Sequence, residues 1–161
     1  MKIKAILIFS FMGLISCHNK KTTISTVVAS SEYKIDSNTV KKHLYTLASD
    51  EMEGRASGTA GIEKAAVYIE DEFERIGLSP FKDLETFRQT FTFQNSSTKK
   101  EITASNIIGV LEGKSKKNEF VIISAHYDHL GILKKEGQLD RIYNGANDNA
   151  SGVTGVLVLA E

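Results

Sequence analysis

From Asp36 onward the apolar positions of this chain repeat first at helical and then at strand spacing. Val40, Leu44, Leu47 and Ala48 fall on one stripe, with Asp36 or Ser37 placed to cap the exposed amides of a first helix. Ile62, Ala65, Ala66, Ile69, Phe73 and Ile76 repeat the pattern in a second helix, which Thr59 would cap and Gly77 followed by Pro80 would stop. Between them, residues 49–58 are polar and glycine-rich and read as a loop. After Pro80 the period changes to two. Phe87, Gln89, Phe91 and Phe93 predict one strand, Ile107, Ile108, Val110 and Leu111 a second apolar run, and Asn95 to Thr98 a turn before it. A polar turn at residues 113–118 leads into Phe120-Val121-Ile122-Ile123, a nearly continuous apolar run of the kind that suits a central strand covered on both faces. A further helix is expected from Ala150. Helices alternating with strands predict an α/β domain of three layers around a mostly parallel or mixed central sheet.

Composition narrows this picture without changing it. The 161 residues, 41% of them hydrophobic, suffice for one domain with a buried core. Twenty basic residues balance twenty acidic ones, so no electrostatic argument favours nucleic acid, whose binding normally shows a basic face, and no nucleic-acid partner is expected. Internal repeats are lacking. Asn95-Ser96-Ser97 and Asn149-Ala150-Ser151 match a glycosylation sequon but read as a turn and a helix start.

The first residues follow a separate logic. Lys2 and Lys4 precede an apolar run, Ala5 to Ile15, too short to span a bilayer comfortably, and Leu14-Ile15-Ser16-Cys17 follows. This layout resembles a bacterial lipoprotein signal, which implies cleavage before Cys17 and lipid attachment to it. Residues 1–16 are then a signal peptide, 17–31 a flexible Lys/Thr/Ser-rich tether, and the folded part begins at 32. The expected location is the bacterial cell envelope, lipid-anchored, and the outer membrane in particular, because His18-Asn19-Lys20 lacks an aspartate resembling an inner-membrane retention signal. Cys17 is the sole cysteine, so neither an intramolecular disulfide nor a thiolate cluster can form.

The candidate chemistry lies in SAHYDHLGILKKEGQLDRIYNGANDNASG, Ser124 to Gly152. His126 and Asp128 stand at the end of the expected buried strand, where open α/β sheets place ligands. Residues i and i+2 of an extended segment point to one side, so Asp128 can orient the His126 ring while Tyr127 points away. Asn144-Gly145 marks a tight turn, and Asp148 sits among small residues just before a helix. An imidazole and a carboxylate suit zinc. An aspartate before a helix is also a common N-cap and a histidine at a strand end is often structural, so these residues taken singly leave both readings open.

Together, His126-Tyr127-Asp128-His129-Leu130-Gly131 and Asn144 to Gly152 closely resemble peptidase family M28, the co-catalytic di-zinc aminopeptidases. Leu47 to Arg55, with Gly58-Thr59, is similar to the N-terminal part of that family's domain. The resemblance implies that His126 is a terminal ligand of one zinc, that Asp148 bridges two zincs and that Asp128 orients His126. His129 is left as loop structure, and Asn147 and Asn149 as loop-fixing hydrogen-bonding residues. The implied reaction is zinc-dependent removal of N-terminal residues from peptides with a free N-terminus. In the family pattern the general base and the remaining zinc ligands, a Glu-Glu pair, an Asp and a His, follow the helix that starts at Ala150. None of these is present here, and Glu161 lies too early to be that base. The expectation is therefore the N-terminal portion, residues 32–161, of such a domain, inactive alone, with Val156 to Leu159 uncovered. The alternatives are a relative that cyclises N-terminal glutamine and a non-catalytic binding protein that has lost the metals.

Overall fold

Three helices enclose the core, and each forms where the pattern of apolar positions predicts one. A computed structural model describes residues 34–96, 98–133, 137 and 140–161; the signal segment, Cys17 and the tether lie outside the described residues. Helix α1 (Ser37–Leu47) starts at Asp36, whose carboxylate accepts the amides of Asn38 and Thr39 at 3.1 and 3.3 Å. Helix α2 (Ala60–Ile76) ends on Gly77 in the left-handed conformation, φ 87°, where a glycine meets no Cβ penalty. Thr59 holds the N-cap position but does not cap: its hydroxyl donates to the Ala56 carbonyl at 2.7 Å. Helix α3 (Ser151–Ala160) begins one residue after the expected start. Leu47 of α1, Ala65, Ile69 and Phe73 of α2, and Val153 and Leu157 of α3 bury one another, joined by Met52, Phe87 and Ala150.

Leu157 and Val158 are buried between the helices, while Leu159 is exposed. The expectation that residues 156–159 lie uncovered is thus corrected for Leu157 and Val158. One face of α3 finds α1 and α2 directly, without help from a sheet.

The strands differ more from expectation. In chain order they are β1 (Ser79–Pro80), β2 (Arg88–Gln94), β3 (Glu101–Ile107), β4 (Gly109–Val110), β5 (Gly131–Ile132) and β6 (Ile142–Tyr143). Among the described residues they form three two-stranded antiparallel sheets, β1–β4, β2–β3 and β5–β6. Strands β2 and β3 make a seven-residue hairpin from Arg88↔Ile107 to Gln94↔Glu101. Its turn is built on Asn95, whose side-chain oxygen accepts the Thr98 amide at 2.9 Å. The second strand therefore lies at 101–107, and the apolar run at 107–111 contributes only the short β4. Phe73 and Phe87 meet edge to face at 5.6 Å, and Arg88 binds Glu63 and Glu70 of α2, so the hairpin is held to the helix at its root.

Phe120 to Ile123 corrects the expectation most clearly. No strand forms there, and Val121 and Ile122 are 91% and 86% exposed. A strand needs ladder partners for its N–H and C=O groups, and no described strand runs beside this one. Apolarity records what burial would gain, not that a partner is at hand. The described residues thus form a mixed α/β arrangement of helices and small antiparallel sheets without a central sheet. Among them no helix is long and apolar enough to cross a membrane.

On α1, His43 is fully buried, with Nδ1 2.7 Å from the Tyr68 hydroxyl of α2 and no partner for Nε2. Burial pushes its pKa below the ordinary 6.5; Glu72 and Glu161 oppose this, and Lys42 and Arg75 reinforce it. Burial also pushes the Tyr68 phenol up to about 12. A histidine buried neutral resists protonation in the folded state while the unfolded chain protonates freely. Its stabilising contribution is therefore complete above pH 6.5 and is lost as pH falls from there towards the lower folded value. We expect the melting temperature to fall between pH 7 and pH 5.5, and this fall to be reduced in His43→Gln; an unchanged slope in that variant would exclude His43 as its source.

Candidate functional site

The segment 125–129 is extended, and its alternation decides which side chains face inward. Ala125 and Tyr127 pack against the core, and the Tyr127 hydroxyl donates to the Ser105 carbonyl at 2.7 Å. His126 and Asp128 consequently point the other way, as the i, i+2 argument requires. His126 Nδ1 lies 3.2 Å from Asp128 Oδ1, and the second Asp128 oxygen accepts the Ser57 hydroxyl, also at 3.2 Å. The carboxylate thus has one oxygen on the ring and one on a residue that leads into α2.

Asp148 arrives from the opposite side. Gly145 adopts φ 60°, ψ 44°, and a turn of the i→i+5 type follows, closed by the Ala150 amide on the Gly145 carbonyl at 3.1 Å. Within it the Asp148–Asn149 peptide is cis and Asp148 leaves helical geometry (φ −123°, ψ 89°). Asn149 secures the exit: its amide nitrogen donates to the His126 carbonyl at 3.3 Å, and its oxygen accepts the Gly152 amide at 3.2 Å. The loop-fixing part expected of Asn149 is therefore visible. For Asn147 it is the carbonyl that takes part, accepting the Ser151 hydroxyl at 3.0 Å.

The two pieces meet. His126 Nε2 is 3.1 Å from Asp148 Oδ1, and His129 Nδ1 is 3.6 Å from Asp148 Oδ2. His129, left as loop structure because the family pattern gives it no ligand role, is largely enclosed, while His126 and Asp148 keep more than half of their side-chain surface open to solvent. With the ring proton on Nδ1, which faces the Asp128 carbonyl at 3.1 Å and its carboxylate at 3.2 Å, Nε2 presents a lone pair towards Asp148 Oδ1. A cation at that point would turn repulsion into coordination. Asp140 and Glu161 are engaged elsewhere, on the Ile142 amide and the Arg75 guanidinium. Among the described residues no group of three or more His, Cys, Asp and Glu side chains is arranged to hold a metal ion.

Sequence reasoning missed the residue that carries this geometry. Residues 50–55 form a short 3-10 turn instead of open loop, with Glu53, Gly54 and Arg55 at φ 51°, 67° and 51°. At Gly54 a Cβ would come within 2.5 and 2.6 Å of the Gly131 and Tyr143 carbonyls, so only glycine allows the turn to lie against β5 and β6. Arg55 is buried completely between the two site segments. Burial pushes its pKa down, and Asp128 and Asp148 counteract that. The available signal was the string Asp50-Glu51-Met52-Glu53-Gly54-Arg55 itself, an arginine between a glycine and small residues in a supposed surface loop.

Residues 106–161 match the family model described as peptidase family M28. The match takes in His126, Asp128, His129, Asp148 and the whole of α3, and leaves Leu47 to Thr59 outside it. It supports a peptidase-like, hydrolytic function for a chain that matches the family in part. No curated protein and no solved structure matches the chain.

Gly145 is closely packed by three different parts of the site. A Cβ there would lie 2.5 Å from the Asp148 carbonyl, 2.6 Å from the His129 ring and 2.7 Å from the Arg55 guanidinium, whereas at Gly77 a Cβ would meet nothing. Both positions carry positive φ, which costs a substituted residue about 1–3 kcal/mol. We expect Gly145→Ala to destabilise the protein clearly more than Gly77→Ala in urea titrations. Equal losses would mean that the close approach at residue 145 carries no weight.

Proposed function

We propose, taking residues 106–161 as part of a peptidase family M28 domain, that this chain contributes to a zinc-dependent aminopeptidase in which His126 is a terminal ligand of one zinc, Asp148 bridges two, and Asp128 orients His126. The supporting observation is the line Ser57–Asp128–His126–Asp148. Two donor atoms on one tetrahedral zinc, each at about 2.0–2.1 Å, stand about 3.3 Å apart. The His126 Nε2 to Asp148 Oδ1 distance of 3.1 Å fits that spacing, and the nitrogen–oxygen donor pair fits the metal. Zinc bound here would supply Lewis-acid polarisation of a scissile carbonyl and a water acidic enough to act near neutral pH.

The chain's own residues prepare for this. Asp128 accepts a hydrogen bond from Nδ1–H of His126, which holds the tautomer whose Nε2 lone pair is free to bind a metal, and Ser57 stops the carboxylate from rotating away. The two oxygens of Asp148 diverge towards His126 and His129, as a bridging carboxylate must. The general base and remaining ligands are expected from outside the described residues, and the 161 residues alone are expected to be inactive. The same reading places the described helices in a three-layer α/β domain with a parallel or mixed central sheet. The substrate is a peptide with a free N-terminus. Cys17 carries a lipid anchor that places the enzyme in the cell envelope, at the outer membrane.

In the protein isolated from its source we expect chelator-sensitive release of N-terminal residues. His126→Ala should lower it, Asp148→Ala should lower it at least as much, and Asp128→Asn should weaken zinc affinity or activity by about 10–100-fold. Near-normal turnover by Asp148→Ala would exclude the bridging assignment. The anchor is tested separately. Cys17→Ser should leave the protein unprocessed or release it from membranes, since stable anchoring requires more than one acyl chain; normal processing and partitioning in that variant would rule the anchor out.

A further inference from the structure

A buried guanidinium must direct its N–H groups at oxygens, because no water can take their place. Arg55 does so on three separate segments. Nε donates to the Tyr127 carbonyl at 2.8 Å, Nη2 to the Gly145 carbonyl at 3.0 Å, and Nη1 to the Asn144 carbonyl at 2.7 Å and to the Leu47 carbonyl. Its own carbonyl accepts the His129 amide at 2.9 Å. Tyr127 lies between His126 and Asp128, and Asn144-Gly145 opens the loop that delivers Asp148. All the bonded partners are backbone oxygens, so the side chain fixes chain path and not merely a neighbouring rotamer.

We propose that Arg55 is a positioning residue that locks the 126–129 segment to the 144–148 loop, so that His126 and Asp148 meet at a set separation. The lock itself stands on the hydrogen bonds alone; its consequence for metal binding rests on the function proposed above. Arginine is required by shape. Its planar fork presents five N–H groups in fixed directions, four of which are bonded here, whereas a lysine ammonium offers three donors from a single point and cannot span three segments. Arg55 touches neither the His126 nor the Asp148 side chain among its hydrogen-bond partners, and acts on both through the backbone.

The test compares the isotopically labelled full chain with Arg55→Lys and Arg55→Met, first without metal. The amide resonances of 126–129 and of 144–149 should shift or broaden together in both variants, while those of the β2–β3 hairpin stay in place. Changes limited to the 50–55 turn or to one of the two loops, or full rescue by Lys or Met, would overturn the lock. Titration with Zn2+ alone forms the second arm: binding by the wild-type chain should weaken about 10–100-fold in Arg55→Lys. Unchanged affinity in that variant would overturn the positioning role. A wild-type chain without measurable Zn2+ binding agrees with a ligand set that these residues supply only in part, and the spectra then decide the lock alone. Should either variant fail to fold, native-state hydrogen exchange in the wild type decides. The His129 amide, on the Arg55 carbonyl, and the Ala150 amide, on the Gly145 carbonyl, should be protected to within about fivefold of each other as one opening unit. A larger gap means that the loops open independently and defeats the proposal.

Discussion

A single buried cation sets the terms for the polar half of this molecule. Arg55 has no exposed surface, so its charge must be balanced from inside, by carbonyl dipoles in contact and by Asp128 and Asp148 farther off. Breaking such an arrangement by removing one side leaves an uncompensated buried group, which costs more than making it gained. The end of α1, the 125–129 segment and the turn at Gly145 are therefore not free to move separately. Each supplies an oxygen that the other two cannot replace.

Beneath that polar layer lies an ordinary apolar one, and the chain alternates between them. Ala125 and Tyr127 face down while His126 and Asp128 face up. Asp148 is followed two residues later by Ala150, which is buried, and then by Val153 and Leu157. Each polar side chain of the site is thus one or two residues from an anchor in the core. Precision at the site comes from below, from packing, and from the side, from Arg55. Openness comes from above, where His126 and Asp148 keep access to solvent.

The helices were legible because their information is local. Caps, stops and a 3.6-residue period are properties of short windows, and Asp36, Gly77 and the Ile69–Phe73 stripe needed nothing distant to be recognised. The pairing of His126 with Asp128 was legible for the same reason, since both belong to one extended segment. Partnership across the chain was not. The hairpin's second strand lies at the unremarkable Glu101–Ile107, chosen by register with Arg88–Gln94 over the more apolar stretch after it. Beyond its place between a glycine and small residues, Arg55 gave no sign of which groups it meets, because the four carbonyls that satisfy it come from backbone, which has the same composition everywhere. His129 was set aside on the family pattern, and only folding brings it beside Asp148.

The exposed run from Phe120 to Ser124 has a consequence for the life of the polypeptide in solution. Phe-Val-Ile-Ile-Ser contains neither proline nor charge, is rich in β-branched residues, and is exposed throughout. An exposed, uncharged, β-branched run that no strand accompanies among the described residues is an aggregation hazard of the cross-β kind, in which identical copies stack in register. Until another strand covers this segment, each molecule offers its neighbours a template for fibril growth, only a few residues from the histidine on which the chemistry is proposed to depend.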